Sequence, residues 1–219
     1  MAQRSLAKRW WYDGLQVLAR LAGIALFRIR WRGRQHIPRG GGVLVLSNHQ
    51  SHFDPVLVGM ACDRRLNYVA RQSLFGFLPF RWLIYSLDAI PIDRDGLGMS
   101  GLKETLRRLK RQEMVLLFPE GTRTRDGDVQ RLKPGFNALA KRAGVPLLPV
   151  AIDGAWQAWP RSRATPWVDV VHVQIGRPIM PDEIARFNER ELVDEVERRL
   201  RECLLEARRL RRRSMFSRR

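Results

Sequence analysis

The chain has 219 residues, a length suited to one domain with terminal extensions and ample for a sizeable core. Its hydrophobic fraction of 45% is that of a globular protein, and its two cysteines, Cys62 and Cys203, show no Cys-x-x-Cys spacing and no histidine cluster, which argues against a disulfide framework or a zinc site. Forty Lys and Arg against 22 Asp and Glu leave a formal charge of +18, and such an excess attracts a polyanion: nucleic acid, an anionic membrane surface or a phosphorylated substrate.

Residues 10–31 form an apolar run with Trp10, Trp11 and Tyr12 at one end and Trp31 at the other, flanked by Arg4, Lys8, Arg9, Arg28, Arg30, Arg32 and Arg34. Asp13, Gln16 and Arg20 interrupt it, so it falls short of the roughly 20 apolar residues that a spanning helix needs. A small-residue cleavage site does not follow it, which argues against a removed leader. The pattern predicts a helix lying in a membrane interface, with packing of an amphipathic helix on its own domain as the alternative.

Gly41-Gly42 and Val43 to Leu46 read as a buried strand, and the strand runs directly into Ser47-Asn48-His49-Gln50-Ser51-His52-Phe53-Asp54-Pro55. Polar residues delivered at the carboxyl end of a strand stand where ligands gather in open α/β sheets. Four residues separate His49 from Asp54, enough for one turn to return the carboxylate to the imidazole. Asp54 would then fix the tautomer and leave the other ring nitrogen as a general base. The alternative is a structural hydrogen bond that braces the loop.

A helix follows from Pro55, then a strand over Leu66 to Ala70 that ends at Arg71. Phe75, Phe77, Leu78, Phe80, Trp82, Leu83 and Tyr85 make an aromatic stretch that is either core or a wall for a long acyl chain. Residues 89–94 form a short strand-like run delivering Asp93 and Arg94 into a turn, and Ser100 is placed to cap a helix with Leu102, Leu106 and Leu109 on one face. Met114 to Phe118 is a second buried strand, followed by Glu120-Gly121-Thr122-Arg123. There Gly121 permits close approach of a ligand, and Arg123 offers a planar fork for phosphate oxygens or a solvated surface charge. Further strands are expected at 145–152 and 168–175, with His172 a strand histidine. A C-terminal helix from Pro181 carries Leu192, Val196, Leu200 and Leu204 on one face, and the arginine-rich end after it reads as a solvated tail or a contact for anionic lipid.

Taken together, Asn48-His49-x4-Asp54, Phe118 to Arg123 and the Val145 to Val150 strand resemble the lysophosphatidic acid (1-acyl-sn-glycerol-3-phosphate) acyltransferase family over about residues 38–180. A second family motif is looser: Arg94 matches its phosphate-binding arginine, Asp88 stands where glycine is usual and Pro91 where an aromatic is frequent, and Arg71 stands where lysine is common. The resemblance implies an α/β fold with a central, mostly parallel sheet flanked by helices. Around it are expected an N-terminal membrane-associating segment at 1–34, an acyltransferase core at 35–181, and a C-terminal helix with basic tail at 182–219. It implies His49 as general base oriented by Asp54, an acceptor phosphate gripped by Arg71, Arg94 and Arg123, and a site shaped by Asn48, Glu120, Gly121 and Thr122. Backbone donors near Glu120-Gly121 would face the oxyanion.

Neither a metal nor a bound cofactor is implied. Acyl-CoA or acyl carrier protein would be the donor and a lysophospholipid the acceptor, at the cytoplasmic face of an anionic membrane, with no nucleic acid involved. The competing classes are an acyltransferase for a different lysophospholipid or a hydroxylated lipid, a lipid hydrolase using Ser51, a basic nucleic-acid-binding module, which has the charge and no recognised motif, and a non-catalytic basic membrane-binding protein.

Overall fold

The computed structural model describes residues 6–71, 90–92, 98–163 and 165–216. In chain order the elements are α1 (Leu6–Phe27), β1 (Arg30–Arg32), β2 (Val43–Ser47), α2 (Asp54–Ala61), β3 (Leu66–Arg71), β4 (Ile90–Ile92), α3 (Gly98–Lys110), β5 (Met114–Leu117), α4 (Gly135–Ala143), β6 (Leu147–Asp153), α5 (Ala155–Ala158), β7 (His172–Ile175), α6 (Pro181–Ile184) and α7 (Glu189–Phe216).

One sheet contains seven strands in the order β1-β7-β6-β2-β5-β3-β4. The strands β6, β2, β5, β3 and β4 run parallel; β7 lies antiparallel to β6, and β1 parallel to β7. The mostly parallel α/β fold is therefore present. Every residue of β2 and of β6 is buried, as expected of strands covered on both faces. Alternation divides them cleanly. Leu44 and Leu46 pack with Val115, Leu147 and the apolar stripe of α7, together with Leu109 of α3 and Phe136 and Leu139 of α4. Val43 and Val45 pack on the other face with Leu116, Leu148, Val150 and the α2 residues Leu57, Val58 and Met60.

Four local expectations shift. The N-terminal helix stops at Phe27, where Arg28 takes a positive φ of 47°, and Arg30–Arg32 pairs with His172–Gln174 as a strand instead of continuing the helix. The strand expected from Val168 begins only at His172, and α3 starts at Gly98, so Ser100 falls inside its first turn and not ahead of it. Helix α7 continues through Phe216, so the arginines at 208–213 stand on an ordered helix and not in a solvated tail. The aromatic stretch at 75–85, Asp88 and Arg94 lie outside the described residues.

Helix α1 is attached through its polar residues. Gln16 Nε2 donates to the carbonyls of Gly59 and Cys62 at 2.8 and 2.9 Å, and Arg20 donates to those of Met60 and Cys62 at 2.9 and 3.0 Å. Tyr12 Oη accepts the Leu66 N–H at 3.2 Å. The carbonyls that end α2 have no partner within their own helix, so α1 supplies one. Among the described residues no helix is long and apolar enough to cross a membrane.

Candidate active site

The parallel strands β2, β5 and β3 all deliver their last residues to one sheet edge, and β2 lies between β5 and β6 there. Just past β2, Asn48 extends the pairing with β6 through its side chain: Nδ2 donates to Ile152 O at 3.0 Å, and Oδ1 accepts the Ile152 N–H at 2.8 Å. Asn48 thus imitates a backbone amide, which carries the strand one residue further and sets the direction in which His49 leaves the sheet.

His49 Nδ1 lies 2.7 Å from Asp54 Oδ2. The same oxygen accepts the backbone N–H groups of Gln50 at 2.6 Å and Ser51 at 2.7 Å, and Asp54 is fully buried at the first turn of α2. Three donors converging on one carboxylate oxygen place it rigidly, so the imidazole has one orientation available. Nδ1 donates to the carboxylate, which leaves Nε2 as the basic nitrogen. The ring stacks on Phe118 with centroids 4.0 Å apart, and the His49 side chain keeps 20% of its surface open.

The loop after β5 grips the His49 peptide from both sides. Glu120 Oε1 accepts the His49 N–H at 3.0 Å, and the Thr124 N–H donates to His49 O at 2.7 Å. Glu120 is buried, and desolvation raises its carboxyl group to about 8 against the opposing pull of hydrogen bonds from the His49 and Gln130 backbones. Gly121 takes φ +71°, and its N–H donates to Phe118 O at 3.0 Å, which closes the turn. Thr122 is exposed. Arg123 is half-buried, and its guanidinium donates to His52 Nε2. Burial and this neighbouring cation lower the pKa of His52, with a further push from His49. Arg71 closes β3 at the same sheet edge; its side chain, and all of Arg94, lie outside the described residues.

Ser51 is buried, with its hydroxyl donating to Trp159 O at 2.8 Å and accepting the Phe53 N–H at 3.2 Å. It braces the loop, its hydroxyl taken up by the Trp159 carbonyl and the Phe53 N–H. Cys62 and Cys203 are buried free thiols, both raised by desolvation to about 12. His172 is a strand histidine, lowered to about 4 by burial and the nearby arginines.

Two residues matter here that sequence reasoning passed over. Thr124 anchors the loop: its hydroxyl donates to Asp126 Oδ1 at 2.7 Å and accepts the Gly127 N–H at 3.2 Å. Gln50 Nε2 donates to Gly127 O at 2.7 Å, while its Oε1 accepts the Trp156 N–H at 3.2 Å. Gln50 stands beside His49 in the chain, which was the one available signal; Thr124 carried none.

Residues 28–153 match the acyltransferase family. A 1-acyl-sn-glycerol-3-phosphate acyltransferase of Pseudomonas aeruginosa is 32% identical over 197 residues, covering 85% of this chain and 74% of that one. One from Bacillus subtilis is 29% identical over 143 residues, covering 65% and 69%. The crystal structure of the 1-acyl-sn-glycerophosphate acyltransferase PlsC from Thermotoga maritima superimposes with a TM-score of 0.80 at 27% identity, over 94% of this chain and 83% of that one. With a family match across most of the sheet and relatives of this kind along nearly its whole length, the chain belongs to the acyltransferase family, among the 1-acyl-sn-glycerol-3-phosphate acyltransferases.

Proposed function

We propose that the protein transfers an acyl group from acyl-CoA or acyl carrier protein to the free hydroxyl of 1-acyl-sn-glycerol-3-phosphate, giving phosphatidic acid. The observation that carries this reading is the fixed His49–Asp54 pair at 2.7 Å, which presents one basic nitrogen at a partly open edge of the sheet. The names of the Pseudomonas and Bacillus relatives support the choice of acceptor.

In the reaction, His49 Nε2 takes the proton of the acceptor hydroxyl as its oxygen attacks the thioester carbonyl. The tetrahedral intermediate collapses with cleavage of the C–S bond, and the imidazolium returns the proton to the leaving thiolate. Asp54 keeps Nδ1 protonated and stabilises the imidazolium while it exists. The donor and acceptor meet directly, with no acyl-enzyme. Arg123 stands at the mouth as a fork for the acceptor phosphate, with Arg71 and Arg94 assigned to the same anion and Glu120, Gly121 and Thr122 shaping the turn. The enzyme works as a peripheral protein at the cytoplasmic face of an anionic membrane, held by α1.

His49→Ala should lower turnover by about 10²- to 10⁴-fold, the usual contribution of a general base, with the fold intact. Ser51→Ala should keep most of the activity. Ordinary turnover in the His49 variant, measured by thiol release from the acyl donor, would end this assignment.

A further inference from the structure

Around the site most arginines are held by partners. Arg201 donates to Val129 O and to Glu197, Arg208 pairs with Asp128, and Arg211 with Asp169. Lys133 is held differently. Its backbone N–H donates to Pro119 O at 2.9 Å, which ties the end of the site loop to its beginning. Its side chain then crosses the Gly121 turn: a Cβ placed on Gly121 would lie 3.0 Å from Lys133 Nζ, 3.1 Å from Cε and 3.3 Å from Cδ. Both residues are exposed, and among the described residues no carboxylate forms an ion pair with this ammonium.

The place is specific. One residue before Gly121, Glu120 holds the His49 N–H, and two residues after it stands Arg123. The bare α-carbon of Gly121 is what lets three atoms of the lysine lie against the turn and bring the ammonium onto the loop that holds the His49 backbone. A cation laid there without a protein anion to neutralise it is suited to an anion that arrives with the substrate.

We propose that Lys133 is a further ligand for the phosphate monoester of the acceptor, acting as a point charge beside the Arg123 fork, and that Gly121 provides the slot the lysine crosses. The inference rests on the reading that the acceptor carries a phosphate. Phosphate oxygens left over from a bidentate arginine contact can accept from an ammonium, which donates in several directions. A lysine that merely covered the turn with its methylene stem would be replaceable by an uncharged chain of similar length.

The test compares Lys133→Met and Lys133→Arg with wild type, using detergent-dispersed lysophosphatidic acid and monoacylglycerol with one acyl donor. Lys133→Met should raise KM for lysophosphatidic acid about tenfold or more, with KM for the donor and the thermal midpoint unchanged. Lys133→Arg should stay within about threefold of wild type. The preference for lysophosphatidic acid over monoacylglycerol should shrink with the methionine variant. If wild type keeps that preference and Lys133→Met has an unaltered KM for lysophosphatidic acid, the lysine is packing only and the assignment is overturned. A wild type indifferent to the phosphate overturns the acceptor reading, and the role of Lys133 with it.

Discussion

Glu120 places a carboxyl group where burial opposes its charge, yet the same group holds the backbone of His49. Its ordinary value of 4.5 rises to about 8, so between those two pH values the folded protein retains a proton that the unfolded chain has released. The folded state binds more protons in that window. Stability from this group therefore falls as pH rises from about 4.5 to about 8, and the fall is complete above it. Glu120→Gln removes the titration while keeping an oxygen for the His49 N–H, so its thermal midpoint should decline less than that of wild type between pH 5 and pH 8.5, with activity retained. Parallel midpoints across that range would show that Glu120 does not titrate there. Glu120→Ala strands the N–H and should cost about 1–3 kcal/mol, with turnover reduced as the His49 peptide shifts. At this scale His49 and Asp54 were legible because the strand end and the one-turn spacing are local. Thr124 was not, because its role depends on meeting His49 O, a residue 75 positions back in the chain whose approach no local pattern encodes.

At the scale of elements, α7 reaches the loop that follows β5 from outside. Leu192, Val196, Leu200 and Leu204 bury one side of it against the sheet, and Arg201 and Arg208, two turns apart, donate to Val129 O at 3.0 Å and Gly127 O at 3.2 Å. Gly127 O also accepts Gln50 Nε2, so the helix is connected through one carbonyl to the residue next to His49. Each arginine is partly exposed, and its ion pairs are worth about 1 kcal/mol or less. Their combined effect should appear in positioning: Arg201→Ala with Arg208→Ala should lower kcat about three- to tenfold at a temperature where the variant stays folded, and donor KM should hold. Arg209→Ala, whose guanidinium is mostly exposed, serves as the control. Unchanged kcat in the double variant would reduce the contact to surface electrostatics. The helix itself was legible from its apolar spacing, whereas its last turns were not. Arginine favours helix as readily as it favours solvation, and only the distant Asp128, Asp153 and Asp169 decide which way these residues go. Strand β1 was hidden for a similar reason, since three residues carry no periodicity and become a strand only by pairing with β7.

For the whole molecule, the residues that made the N-terminal run too polar to span a bilayer have a definite use. Gln16 and Arg20 hook α1 onto the end of α2, and the apolar side is left facing out: Trp10 is 75% exposed, Val17 54%, Leu18 64% and Leu21 62%. Trp10, Val17, Leu18 and Leu21 follow helical spacing on a single side, opposite Tyr12, Gln16 and Arg20. A helix with its polar face turned to the protein and its apolar face turned outward is suited to a bilayer surface, and the net charge of +18 favours an anionic one. Replacing Val17, Leu18 and Leu21 together by serine removes apolar contact of about 1 kcal/mol or somewhat more per side chain, so binding to anionic vesicles should weaken by about a hundredfold. Activity should fall on acceptor embedded in vesicles and remain on acceptor dispersed in detergent, because more than half of each of these residues stands in solvent and none belongs to the buried core. Arg20→Ala should act differently, loosening α1 from α2 and lowering the thermal midpoint with either form of substrate. Co-sedimentation of the triple variant with phosphatidylglycerol vesicles at the wild-type level would show that the outward face of α1 is not the docking surface, and the search for one would move to other basic parts of the molecule.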